Sequence, residues 1–249
     1  MHLILTVALI AGTDINRLCD RAEFLFFNRH LAPGNLDSAY NLLAQGRKLA
    51  PNHERCLYLW SRIHTQLGDA APTRAEKFRY YERAMAIAET LKTINDRNPD
   101  GHMWWAVAYG RIGQERGVMN SLFMVPTLRR EFHRVLELDS NYATAYDALG
   151  VMYYELPGIA GGDLGKSAEF LRRGIALDPN YTLLRLDLAK VYIRQHRWSA
   201  AAEQLNILIA TKNPTYPADF VLDDKPAALE LLKTLESESA SPRAQPSTP

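Results

Sequence analysis

Apolar residues recur at helical spacing along most of the chain, and the helices so marked come in pairs. The clearest first helix is Tyr146–Tyr153, YDALGVMY, which reads aromatic-x-x-Leu-Gly-x-x-Tyr. Its partner follows in SAEFLRRGIALDPNY, with Ser167, Leu171, Gly174 and Pro179 at small, large, small and proline positions. This is the signature of a tetratricopeptide repeat, a helix–turn–helix unit of ~34 residues. The next unit keeps the phase through Arg185, Leu188, Ala189 and Tyr192, then Ala201, Leu205 and Leu208. Three earlier units hold the register with weaker motifs. They run through Glu23, Phe26, Phe27 and His30; through Leu57, Trp60, Ser61 and His64; and through Trp104, Val107, Ala108 and Arg111. The first two of these units are one repeat length apart. Later spacings are longer, and the excess is assigned to Asp69–Arg74 with a lengthened second helix, to Val118–Pro126, and to Leu156–Gly162.

Close packing explains the pattern. Small residues at the eighth position let the paired helices approach, and bulky ones at the fourth, seventh and eleventh fill the space between units. Pro51 and Pro179 end second helices, since proline lacks the donor a helix needs. KPAALELLKTLESES gives one more helix, with Pro226 in its first turn and a stripe of Ala227, Leu229, Leu231, Leu232 and Leu235 suited to capping the stack. No stretch alternates long enough for a strand. The predicted fold is all-α: a tetratricopeptide-repeat α-solenoid of about five helix pairs plus a C-terminal capping helix. The expected layout is an apolar N-terminal segment over 1–14, a repeat domain over 15–236 and a disordered tail over 237–249.

Leu3–Gly12 is too short for a transmembrane helix, which needs ~20 residues. It has the length of a secretory apolar region but no preceding Lys or Arg. An export-signal remnant and a buried N-terminal element both remain open, and Thr13 stands where a lipoprotein would carry its lipidated cysteine.

Composition narrows the function. With 47% hydrophobic and 23% charged residues and a net charge of +1, nothing draws the chain toward nucleic acid. The two cysteines, Cys19 and Cys56, form no metal-binding motif and no disulfide framework. His30, His64, His102 and His133 have no nucleophile or carboxylate at fixed spacing, and Glu131, Glu137 and Asp139 read as a solvated face beside Arg129, Arg130 and Arg134. Ala160–Ser167, AGGDLGKS, matches a relaxed phosphate-loop pattern, but such a loop follows a buried strand and this one follows the best-marked repeat helix. It therefore reads as an insertion loop in which Gly161 and Gly162 permit a turn and Asp163 caps the next helix. The sequence predicts no enzyme, no catalytic residue, no metal and no cofactor.

In a repeat stack the first helices line an inner wall. The register places Tyr58, Arg62, Trp105, Tyr109, Asp147, Val151, Tyr154 and Lys190 there. These are the expected binding residues, with Arg62 and Lys190 steering acidic groups. Such a wall suits an extended protein segment or a small hydrophobic ligand, and leaves room for self-association. The lysines and asparagines of a carboxylate clamp are largely replaced by Phe24 and Tyr58.

The WWAVAYGR helix, the long insertion before a helix ending in RVLELD, and GGDLGKSAEFLRRGIALDP together resemble the T component of tripartite ATP-independent periplasmic (TRAP) transporters. The resemblance covers His102–Ile209 well and Arg17–Pro99 loosely. It implies a periplasmic accessory protein that docks a periplasmic solute-binding protein. The chain is also similar, more distantly, to eukaryotic regulators of microtubule dynamics, which carry divergent repeats. The alternative to the transporter role is a cytoplasmic scaffold mediating protein–protein interactions.

Overall fold

The computed structural model describes residues 2–240, with side chains over 14–117 and 122–237. All its regular elements among the described residues are helical. The chain divides into two compact units, Met1–Ala145 and Tyr146–Pro249.

The first unit holds α1 (His2–Phe27), α2 (Asn35–Leu49), α3 (Glu54–Ala70), α4 (Arg74–Ile94), α5 (Pro99–Arg116) and α6 (Val118–Leu138). Helices pack pairwise as α1 with α2, α3 with α4 and α5 with α6, while α1, α3 and α5 also touch in sequence. Local chemistry sets the helix starts. Thr73 caps α4, its Oγ1 accepting from Glu76 N–H at 3.3 Å and donating to Glu76 Oε2 at 2.6 Å. Asn98 accepts from Asp100 N–H at 2.9 Å to cap α5, with Pro99 in its first turn. The core is built from Leu43, Leu57, Leu59, Ile63, Leu91 and Met103, all fully buried. Each such side chain contributes roughly 1.5–3 kcal/mol by leaving water. Ser61 donates to Ala84 O at 2.9 Å, so the small eighth position does bring α3 against α4.

The second unit contains the remainder of α7 (Ala143–Glu155), α8 (Leu164–Leu177), α9 (Thr182–Arg194), α10 (Trp198–Ile209), the single turn α11 (Pro217–Asp219) and α12 (Lys225–Ala240). A π-helical stretch, Phe220–Asp224, joins α11 to α12. Ser167 Oγ donates to Gly150 O at 2.7 Å, and a methyl on Gly150 would stand 2.6 Å from Leu171 Cγ. Glycine is therefore required at that eighth position by contact. Leu149, Leu171, Leu184, Leu188, Leu205 and Leu208 form the buried layer.

The fold is the expected tetratricopeptide-repeat α-solenoid class, with five helix pairs among the described residues and α12 packed on α10. Details differ. Val118–Pro126 is not a loop: it is the first part of α6, which runs for 21 residues with Pro126 inside. Excess repeat length is absorbed as helix there, as it is in the 21-residue α4. Of the segment 1–14, residues 2–14 belong to α1, and the side chains up to residue 13 lie outside the described set. Of the expected tail, 237–240 continue α12 and 241–249 lie outside the described residues.

Candidate interaction faces

The phosphate-loop look-alike resolves as a turn. Gly158–Ala160 is a single 3₁₀ turn, Gly161 has φ +92°, and Asp163 caps α8 by accepting from Gly165 N–H at 2.8 Å and Lys166 N–H at 3.0 Å. A methyl on Gly162 would fall 1.8 Å from Leu156 O, so the loop doubles back on its own backbone. The capping amides hold the Asp163 carboxyl below its ordinary value. The N–H groups that would cradle phosphate in a nucleotide site are thus already taken by Asp163. Lys166 Nζ lies 5.6 Å from the Tyr153 ring centre.

In the first unit, Tyr58 and Arg62 lie one helical turn apart on α3, and Arg62 donates to Tyr58 Oη at 2.8 Å. The Arg62 guanidinium stands 4.6 Å from the Phe27 ring centre and 4.5 Å from that of Trp104. Phe26 is a further neighbour at 5.5 Å. Only 7% of Arg62 is exposed. The expected steering cation is instead an internal post between aromatic faces, an arrangement worth up to about 2 kcal/mol when desolvated. Asp100 lies nearby and accepts from Tyr142 Oη at 2.6 Å. Burial raises its carboxyl above the ordinary range although the Tyr142 hydrogen bond and the Arg62 charge oppose this.

Trp105 and Tyr109 stack on each other with centres 4.9 Å apart, but their cation is Lys92 of α4, 4.6 Å over the Trp105 ring. Trp104, one residue earlier than the register predicts, is the ring that meets Tyr58 and Arg62. Lys92 also bonds Glu131 at 3.1 Å, and His102 Nδ1 meets the same oxygen at 2.8 Å. Glu131 does not lie on a solvated face; it is 8% exposed and joins α4, α5 and α6. Its burial alone would raise the carboxyl, but the His102 and Lys92 hydrogen bonds outweigh that and hold it below the usual value.

In the second unit, Asp147 and Lys190 come together around a residue the sequence reading missed, Asp187. Lys190 Nζ pairs with Asp187 Oδ1 at 2.7 Å. Asp147 is sealed from solvent with Oδ1 meeting no donor. Burial and the Asp187 charge push its carboxyl well above the ordinary range. Asp224, from the π-helical stretch, accepts from Thr182 Oγ1 at 2.6 Å. Burial pushes its carboxyl to about 7. Lys190 is held above its ordinary value because the Asp187 charge and hydrogen bond outweigh its burial. Val151 and Tyr154 are half-buried on α7, and the Arg194 guanidinium covers the Tyr154 ring at 3.7 Å. The spacing of Asp187 and Lys190 at i, i+3 was the available signal for the pair; nothing local signalled Asp224.

Among the described residues no group of three His, Cys, Asp or Glu is placed to hold a metal ion, and no helix is long and apolar enough to cross a membrane. Paired helices with small residues at their crossings define a tetratricopeptide-repeat protein, and residues 159–217 match the sequence profile of that repeat. The fold is similar to a thermophilic TPR protein of Thermus thermophilus, with a TM-score of 0.63 and 18% identity, over 84% of this chain and 99% of that one. It is also similar to pilF of Pseudomonas aeruginosa, with a TM-score of 0.52 and 11% identity, over 93% and 95% of the two chains.

Residues 28–159, more than half of the chain, match the profile of Regulator of microtubule dynamics protein 1-3, and the chain belongs to that family. It is 24% identical to bovine (Bos taurus) Regulator of microtubule dynamics protein 1, over 82% of this chain and 66% of that protein. The orangutan (Pongo abelii) protein of the same name is 23% identical, over 92% and 74%. The chain thus spans just under two thirds of the bovine relative's length. The match falls on the more distant of the two resemblances read from the sequence and gives no support to the TRAP T component.

Proposed function

We propose that this chain is a non-enzymatic protein-interaction scaffold that holds a segment of a partner protein against the first helices of its repeats. The observation that carries this is the aromatic surface on α1, α3 and α5 of the first unit. Phe24 is 52% exposed, and Phe27, Tyr58 and Trp104 are half-buried above the Arg62 post. Rigid aromatics with exposed edges supply contact area at low entropic cost. The buried Arg62 charge fixes their orientation without itself competing for solvent.

The relatives' name points to partners connected with microtubules, and a scaffold of this kind need touch only one component of such an assembly. The test is site-specific photocrosslinking in cells. A photoreactive residue at Tyr58 should capture a defined protein, while one at the exposed Glu169 of α8 should not. Equal capture at both positions, or none at Tyr58, would refute the assignment of the face. Co-sedimentation of the purified chain with polymerised tubulin separates direct from indirect engagement. The narrower transporter role instead requires that the captured protein be a periplasmic solute-binding subunit and that the chain fractionate with the periplasm.

A further inference from the structure

Cys19 of α1 and Cys56 of α3 are the only cysteines in the chain, and folding brings them together. Both are free and both are completely buried. They belong to one apolar cluster, with Ile15, Ala22, Leu43 and Leu57, where α1 packs on α3. Their thiols adjoin, and Cys56 Sγ lies 3.7 Å from Leu43 O, to which it donates. Next to the pair, Arg55 of α3 reaches back to α1 in a fork, bonding Asp20 at 2.6 Å and also Glu23. Two sulfurs in mutual contact across two helices need little backbone movement to be joined.

We propose that Cys19 and Cys56 form a reversible intramolecular disulfide that bolts α1 to α3 when the protein meets a peroxide-class oxidant. The two sulfurs are not equivalent. The adjoining Cys56 thiol outweighs burial and, with the Arg55 charge, holds the Cys19 thiol below its ordinary value. Cys56, set against Cys19 and buried, is pushed up. Cys19 is accordingly the attacking thiolate. Its sulfur takes one oxygen of hydrogen peroxide, the O–O bond breaks, and the departing hydroxide leaves as water with a proton. The resulting Cys19 sulfenic acid is attacked by Cys56 sulfur, which gives up its proton as the S–O bond breaks and a second water leaves. Two thiols and one peroxide become one disulfide and two waters. Because both sulfurs are sealed, the reaction begins only in local fluctuations of α1 that admit peroxide, and it finishes as the helices close and return Cys56 to Cys19. It therefore favours a small oxidant and reads out how often α1 opens.

The experiment treats the full chain with hydrogen peroxide, alkylates remaining thiols after unfolding and maps the peptides by mass spectrometry. The expected product is a monomer lighter by two hydrogens, with the Cys19 and Cys56 peptides joined and dithiothreitol restoring both thiols. Backbone amides of α1 should exchange at least about tenfold more slowly in the oxidised form. In Cys56→Ser, Cys19 should accumulate as a sulfenic acid trapped by dimedone; in Cys19→Ser, Cys56 should stay reduced over the same exposure. Two thiols still open to alkylation, links formed only between molecules, or Cys56 oxidising as readily without Cys19 would each overturn the proposal. The wild-type map alone decides the matter should either variant fail to fold.

Discussion

Asp224 offers the most direct test of the electrostatics of the second unit. It is 4% exposed, accepts one hydrogen bond from Thr182, and faces Asp187, Asp219 and Asp223. Burial and these carboxylates raise its pKa from 3.8 to about 7. A carboxyl raised on folding holds its proton in the folded state over a range where the unfolded chain has lost it. Stability is then full below pH 4, declines as pH rises, and is lost once pH passes about 7. A shift of about 3 units at 1.36 kcal/mol each makes this cost about 4 kcal/mol, as an upper bound. Asp224→Asn keeps an acceptor for Thr182 and cannot ionise. Urea unfolding followed by circular dichroism from pH 4 to 9 should find the variant near wild type at pH 4. By pH 8 it should be more stable by up to about 4 kcal/mol, the difference growing by about 1.4 kcal/mol per pH unit between. A difference that does not change with pH, or a variant weaker than wild type at pH 8, would refute the burial argument.

Arg62→Ala should destabilise the first unit by about 2–3 kcal/mol, since it removes the Tyr58 bond and the cation held between Phe27 and Trp104; a loss under about 0.5 kcal/mol in urea titration would contradict the post. Gly150→Ala should cost about 1–2 kcal/mol despite alanine's better helix propensity, because the new methyl meets Leu171. Combining it with Leu171→Ala should show strong non-additivity in a double-mutant cycle. Glu131→Gln weakens the bonds from Lys92 and His102, so melting of the first unit should become less sensitive to acid, as followed by calorimetry below pH 5. Lys166→Ala should leave thermal stability unchanged in the presence and absence of magnesium–ATP, measured by dye-monitored melting.

Helix pairing was legible because its cause is local and periodic: Ser61, Gly150 and Ser167 mark crossings where a larger side chain would collide. The turn at Gly161–Asp163 was equally legible, since positive φ and capping each have a residue signature. The faces were harder. Assigning Trp105 to the wall of Tyr58 assumed an ideal register through α5, whereas packing presents Trp104 to Arg62 and turns Trp105 toward Lys92. Glu131 looked solvated from its arginine neighbours, yet its partners Lys92 and His102 arrive from two other helices. Charge networks built by tertiary contact leave no periodic trace, and the approach of Asp224 to Thr182 depends on a non-α stretch that propensity does not encode.

That stretch gives α11 and α12 a wider winding between them. One widened turn accommodates a residue beyond what the regular pitch would hold, without opening a loop. Wound at ordinary pitch with the same number of residues, the segment would swing everything downstream by about 100° about the axis. Ala228 and Leu235, which α12 now sinks inward, would then face elsewhere, and the terminal lid would have to find another grip on α10. The widened turn thus lets the chain carry one residue more there without rotating the cap off its seat.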